Sequence, residues 1–101
     1  MAYKLIWSPH SRNDLYEIVR FISRDSPQRA QSFALRLIAH VDMLQDQPES
    51  GRVVPELRIP KIREIIFSPY RIVYRVEHER KVVEISRVWH AARSTPEVPI
   101  V

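Results

Sequence analysis

The sequence contains no cysteine, which excludes disulfides and thiolate metal sites alike. It has one glycine, Gly51, in 101 residues. A phosphate-cradling loop of the Walker or dinucleotide type needs several at fixed spacing, so neither is present. No apolar run approaches the ~18 residues of a membrane span. The opening Met-Ala-Tyr-Lys-Leu-Ile-Trp turns polar too soon for a signal peptide, so the cytoplasm is the expected address and no membrane partner is expected. His10, His40 and His78 are scattered without ligand spacing. No metal and no cofactor are therefore expected.

What is present describes one small globular domain over residues 1–101, with no room for a second core. Apolar residues make up 45% and charged residues 28%, the balance of an ordinary folded domain rather than a disordered chain. The net charge of +4 is unevenly placed. Residues 1–50 hold six basic and six acidic side chains; residues 51–101 hold ten basic and six acidic, so the whole excess lies in the second half. Thirteen of the sixteen basic residues are arginine, the side chain suited to bidentate contact with phosphate or carboxylate. A basic half points to an acidic partner, nucleic acid or protein, although a solvated basic face would look the same.

The periodicity predicts β-α-α-β-β-β. Tyr3–Trp7 reads as a first strand. Ser8-Pro9 and Ser26-Pro27 each set an N-cap hydroxyl before a proline at the first helical position, where its missing N–H costs nothing. Leu15, Ile18, Val19 and Ile22 form the stripe of the first helix; Ala30, Phe33, Ala34, Leu37, Val41 and Leu44 form that of the second. Two helices so closely joined make an antiparallel hairpin. Gly51 lies in what reads as a plain turn. Three strands follow at about Ile59–Phe67, Tyr70–Glu77 and Val82–Trp89, with links short enough for antiparallel pairing. Strict alternation puts Tyr70, Ile72, Tyr74 and Val76 on one face of the middle strand. In the last strand it gives Arg87 the same face as Val83, Ile85 and Trp89. Residues 94–101 read as an irregular tail. The fold class is α+β, with the hairpin on one face of an antiparallel sheet and the arginine-bearing face left for something else.

Ile62-Arg63-Glu64-Ile65, Tyr70-Arg71-Ile72-Val73-Tyr74-Arg75 and Val88-Trp89-His90-Ala91-Ala92-Arg93 occur in this order. Asp14-Leu15-x-x-Ile18 stands before them, with Pro48-x-x-Gly51-Arg52 and Pro55-Glu56-Leu57 in the loop. As an ordered set spanning about residues 3–93, these resemble the RelE/ParE toxins. The resemblance implies a toxin of a type II toxin–antitoxin pair, held inactive by a cognate antitoxin whose acidic or amphipathic C-terminal segment lies across helices and sheet. A homodimer or a toxin–antitoxin hetero-oligomer is compatible with it.

The superfamily holds two activities, cleavage of mRNA on the ribosome and poisoning of DNA gyrase without nuclease chemistry. For cleavage, the resemblance offers Glu56 as base, Arg71 as phosphate-binding cation and His90 as acid. Against it, the lysine-rich strand of many ribonuclease members is replaced by Arg63-Glu64-Ile65-Ile66, and Ala91 follows the histidine. A glutamate where phosphate should bind weakens a nuclease. The pattern is closer to the ParE-like branch, so gyrase inhibition is the leading expectation, with Arg63, Arg71, Arg75, Arg87, His90 and Arg93 as target-binding residues. Each has a bland counterpart: Arg63 and Glu64 pairing across strands, His90 satisfied at a strand end, Glu56 fixing a loop, and Trp89 and Tyr74 as core aromatics.

Overall fold

The computed structural model describes residues 2–99. The elements are β1 (Lys4–Trp7), α1 (Pro9–Ser23), α2 (Pro27–Asp42), a 3-10 turn at Met43–Gln45, β2 (Arg52–Val53), β3 (Ile62–Phe67), β4 (Tyr70–Glu77) and β5 (Val82–His90). The helical hairpin packs on one face of a five-stranded sheet, the α+β arrangement expected. Residues 91–99 form no helix or strand, and the tail's last two positions lie outside the described residues.

Both helices start as their sequences dictate. Ser8 Oγ accepts the Ser11 N–H at 3.1 Å and Ser26 Oγ accepts the Arg29 N–H at 3.1 Å, each followed by proline. These caps satisfy amides that no earlier turn can reach. α2 supplies the deeper stripe, with Ala30, Phe33, Leu37 and Val41 buried. Leu15, Ile18 and Ile22 of α1 pack against the core only partly buried.

The strands are ordered β1-β5-β4-β3-β2. β2 through β5 pair antiparallel, whereas β1 pairs parallel to β5 at the edge, Lys4 opposite Val82 and Trp7 opposite Ile85. Beyond Trp7 the outer edge of β5 has no strand partner among the described residues. Asp14, on α1, accepts the Val88 N–H at 3.0 Å and so satisfies an edge donor that would otherwise be orphaned.

β3 begins at Ile62 rather than Ile59; Ile59 instead packs from the loop against the sheet. The larger correction concerns β5. Tyr74 pairs with Ile85 but Val73 pairs with Arg87, so Ser86 is an extra residue in the ladder. Such a bulge shifts the alternation by one. Val83, Ile85 and Val88 therefore all join the helix-side core, while Arg87 and Trp89 project from the opposite face. Alternation alone predicts Arg87 and Trp89 on the face of Val83 and Ile85, and the extra residue at Ser86 overturns that.

That opposite face is also not vacant. Val54, Ile62 and Val73 form a second buried cluster, with Leu57 and Ile59 from the loop and Val98 from the tail packed against it. Pro96 is buried. Gly51 is more than a plain turn residue. A Cβ there would lie 2.4 Å from the Glu64 carbonyl oxygen and 2.6 Å from the Tyr74 hydroxyl, so the fold needs glycine for close approach. Its N–H donates to that hydroxyl at 3.0 Å.

Candidate functional site

The charged residues singled out in the sequence divide between two faces and mostly partner one another. At the centre is a chain of four. Arg71 donates from Nε to Glu64 at 2.6 Å and from both terminal nitrogens to Glu56, at 2.6 and 2.8 Å. Glu64 in turn accepts from Arg52 Nε at 2.7 Å. The Glu64 side chain is fully buried, that of Arg71 is 9% exposed, and that of Glu56 is 35% exposed.

The hairpin explains the central pair. Its two-residue turn sets Phe67 opposite Tyr70 and hence Glu64 opposite Val73, which makes Glu64 and Arg71 diagonal neighbours on one face. A buried carboxylate is tolerated only when paired and hydrogen-bonded, and both conditions hold here. The bidentate Arg71 contact holds the Glu56 carboxyl down at about 2, and the same contacts push the Arg71 guanidinium upward.

A second group starts on the same side of the sheet and reaches round the open edge of β5 to α1. Asp14 accepts from Arg87 at 2.8 and 3.0 Å, and this raises the Arg87 guanidinium. The Arg87 guanidinium carbon stands 4.8 Å from the Trp89 ring centroid and that of Arg93 stands 3.6 Å from it. Trp89 is buried and donates its indole N–H to the Ser94 carbonyl at 2.8 Å. Arg87 also reaches the Glu97 carbonyl, and Arg75 donates to that of Pro99. Three sheet side chains thus hold three tail carbonyls.

His90 pairs with Tyr70 at the helix-side face, their rings 5.4 Å apart and edge-on. Its Nδ1 accepts the Ala92 N–H at 3.0 Å. Arg63 also lies on the helix side and donates to the Gly51 carbonyl at 2.8 Å.

The sequence candidates are therefore not one surface. Glu56 and Arg71 come together, but His90 lies across the sheet from them. Arg71 and Arg75 are buried, and Arg63, Arg71, Arg75 and Arg87 are all bonded to neighbours. Among the described residues, only Arg93 of the six target-binding candidates has a guanidinium with its donors unengaged. Three contacts escaped sequence reasoning: Asp14 with Arg87, Arg52 with Glu64, and Gly51 with Tyr74. Glu64 offered a signal, a charge between Ile62 and Ile66 on a face that hairpin register could have matched to Arg71. Asp14 stood out only as part of a motif, with nothing to name its partner 73 residues away.

Elsewhere, Trp7, Leu15, Tyr16, Val19 and Ile38 line an apolar groove of about 420 Å³ beside Arg12. Tyr16 is 59% exposed at this groove. No helix among the described residues is long and apolar enough to cross a membrane. Among them, too, no three His, Asp or Glu side chains gather closely enough to hold a metal ion.

A strand, a helical hairpin and an antiparallel sheet with arginines along its last strands define the architecture of the RelE/ParE toxins. The family model described as ParE toxin of the type II toxin–antitoxin system parDE matches residues 5–95. Toxin RelE2 of Caulobacter vibrioides is 37% identical over 91 residues, 89% of this chain and 97% of that protein. Y4kP of Sinorhizobium fredii is 34% identical over 97 residues, covering 94% and 95% respectively. Among solved structures, the chromosomal ParDE system of P. aeruginosa aligns with a TM-score of 0.72 at 22% identity, over 88% of this chain and 96% of that one. The RelBE2 toxin–antitoxin complex of Mycobacterium tuberculosis aligns at 0.58 and 25% identity, over 89% and 99%. The chain belongs to the ParE toxin family, within the RelE/ParE superfamily, and is a toxin of the type II toxin–antitoxin kind.

Proposed function

We propose that this toxin acts by docking on a macromolecular target, DNA gyrase, without cutting RNA itself. The observation that carries this reading is the state of Arg71. Cleavage through a ribose 2′-hydroxyl needs a cation on the phosphate together with a base and an acid within reach of one another. Here the Arg71 fork is filled by Glu56 and Glu64, and His90 stands on the other side of the sheet. Arg93, over the Trp89 ring with its donors unengaged among the described residues, is the docking anchor in this reading.

An antitoxin partner follows from the family. The apolar groove beside Arg12 suits an amphipathic segment carrying a carboxylate. The test is supercoiling of relaxed plasmid by gyrase with purified toxin, with and without antitoxin. Loss of supercoiling with accumulation of linear DNA, reversed by antitoxin, is the expected result. Unimpaired supercoiling would overturn the reading.

A second reading, ribosome-dependent mRNA cleavage, is favoured by the names its relatives carry, toxin RelE2 and the RelBE2 complex. In that case Glu56→Ala or His90→Ala should slow cleavage by roughly 10²-fold or more. Full activity in both variants would exclude the mechanism.

A further inference from the structure

Tyr3, His78 and Glu49 come from three separate parts of the chain and join in one line of hydrogen bonds. The Tyr3 hydroxyl stands 2.7 Å from His78 Nδ1, and His78 Nε2 stands 2.8 Å from a Glu49 carboxylate oxygen. The tautomer follows from the partners. An ionised carboxylate only accepts, so Nε2 carries the hydrogen and donates to Glu49, which leaves Nδ1 of the neutral ring to accept from the phenol. A hydroxyl bonded to a free imidazole nitrogen, with a carboxylate on the far nitrogen, is the arrangement of nucleophile, base and orienting group.

Each member is held through its own stretch of backbone. Tyr3 donates its N–H to the Gln45 carbonyl at 2.8 Å, and the Lys4 N–H reaches the Lys81 carbonyl at 2.8 Å. His78 opens the turn after β4, where its carbonyl accepts the Lys81 N–H at 3.3 Å. Glu49 is followed at once by two bonded amides, Ser50 to the Gln47 carbonyl and Gly51 to the Tyr74 hydroxyl.

All three residues line a cavity of about 420 Å³, together with Gln47 and Ser50. It sits at the end of β4 away from Arg71, the second residue of that strand. Among the described residues no lysine or arginine lines it, and Glu49 stands in its wall. An anionic phosphoryl donor would meet a carboxylate with no fixed cation to offset it. A neutral acyl group would meet the Gln47 amide and the Ser50 hydroxyl, both able to donate to an acyl oxygen.

We propose that Tyr3 is an acyl-accepting nucleophile, with His78 as its general base and Glu49 as the residue that orients the imidazole. The Tyr3 oxygen attacks the carbonyl carbon of a neutral acyl donor while its proton passes to His78 Nδ1. The tetrahedral adduct then breaks its bond to the leaving group, which takes that proton from His78. The products are O-acylated Tyr3 and the protonated leaving group, so atoms and charge balance. The site uses none of the residues assigned to target docking.

The experiment gives the full chain 4-nitrophenyl acetate and follows acetylation of each tyrosine by peptide mass spectrometry. Tyr16 is the internal control, 59% exposed and with no histidine bonded to it among the described residues. Tyr3 should be acetylated at least about tenfold faster than Tyr16. His78→Gln keeps a hydrogen-bonding group but cannot take the proton; it should slow Tyr3 by roughly 10²-fold and leave Tyr16 unchanged. Glu49→Gln should slow Tyr3 by about tenfold through loss of the charge behind the imidazolium.

Thermal melting reports which variants fold, and Glu49→Gln, at a half-exposed side chain, carries the test should His78→Gln not fold. Equal labelling of Tyr3 and Tyr16 in wild type would overturn the proposal. So would Tyr3 labelling that is unchanged in the folded variants. Nitrophenolate release undiminished in Tyr3→Phe would assign the reaction to other nucleophiles, the His78 imidazole among them, and would overturn it as well.

Discussion

Removing Arg71 should unfold this protein more effectively than removing either of its carboxylate partners. The ordering follows from burial. Arg71→Ala strands Glu64, whose side chain has no exposed surface, with only the exposed Arg52 for company, and it also frees Glu56. Breaking a buried ion pair from one side costs about 3–5 kcal/mol, most of it the desolvation of the charge left behind. A domain of this length has a total stability of roughly 5–15 kcal/mol. The loss should therefore lower Tm by more than about 12 °C, at about 4–8 °C per kcal/mol for a domain of this size.

Glu64→Gln leaves Arg71 its bidentate Glu56 and should cost less, about 1.5–3 kcal/mol for a lost charged hydrogen bond. Glu56→Gln, at a partly solvated position, should cost about 1 kcal/mol or less. The double replacement Arg71→Met with Glu64→Leu removes both buried charges and should recover most of the loss. Urea unfolding of the four variants gives the order directly. An Arg71→Ala cost below about 1 kcal/mol would mean that the buried charge is not uncompensated, and the reasoning would fail.

Stability should also fall between about pH 4.5 and 2. The Glu56 carboxyl is held at about 2, below its ordinary 4.5, by Arg71, so the unfolded chain binds the proton first as pH drops. The urea midpoint of wild type should decline across that window, and that of Glu56→Gln should be flatter. Gly51→Ala should destabilise by about 1–3 kcal/mol through overlap with the Glu64 carbonyl. Tyr74→Phe, which leaves the Gly51 N–H without its acceptor, should cost about 1–3 kcal/mol in the same assay. Asp14→Ala should raise hydrogen exchange at the Val88 amide more than at the central β4 amides, because it removes the acceptor that this edge N–H has among the described residues. Arg93→Ala should cost about 0.5–1 kcal/mol of urea stability, the worth of its contact with the Trp89 ring, while weakening toxicity; retained toxicity would remove Arg93 from the docking surface.

The local parts of the fold were legible because their causes are local. Ser8-Pro9 and Ser26-Pro27 announce two helix starts in four residues, and each hydroxyl makes the cap bond its position predicts. β4 alternates without interruption, so Ile72, Tyr74 and Val76 were assigned to one core from spacing alone. Legibility ended where one residue broke the count. Ser86 carries no mark of a bulge in its own chemistry, yet it reverses the face of Arg87 and Trp89. The candidate site suffered for the same reason. A charged residue on a strand says that it needs a partner but not which one, and Arg87 found Asp14 across nearly the whole chain.

The distribution of charge changes what the basic half of this chain can mean. An excess of four positive charges beyond residue 50 looks like an electrostatic footprint for an acidic partner. In the folded protein Arg71 and Arg75 are buried, Arg87 is bonded to a helix, and Arg63 holds a loop carbonyl. These side chains fasten the loop, the tail and α1 to a sheet whose second face would otherwise be open. A small chain with no cysteine has few other means of pinning irregular segments, and guanidinium donors to carbonyls and carboxylates supply them. Arginine count therefore measures internal fastening here as much as attraction for a target. Among the described residues, the cations left to meet a partner are those the fold does not use: Arg93 on its indole, Arg12 beside the apolar groove, and the exposed Arg58, Lys61, Arg80 and Lys81.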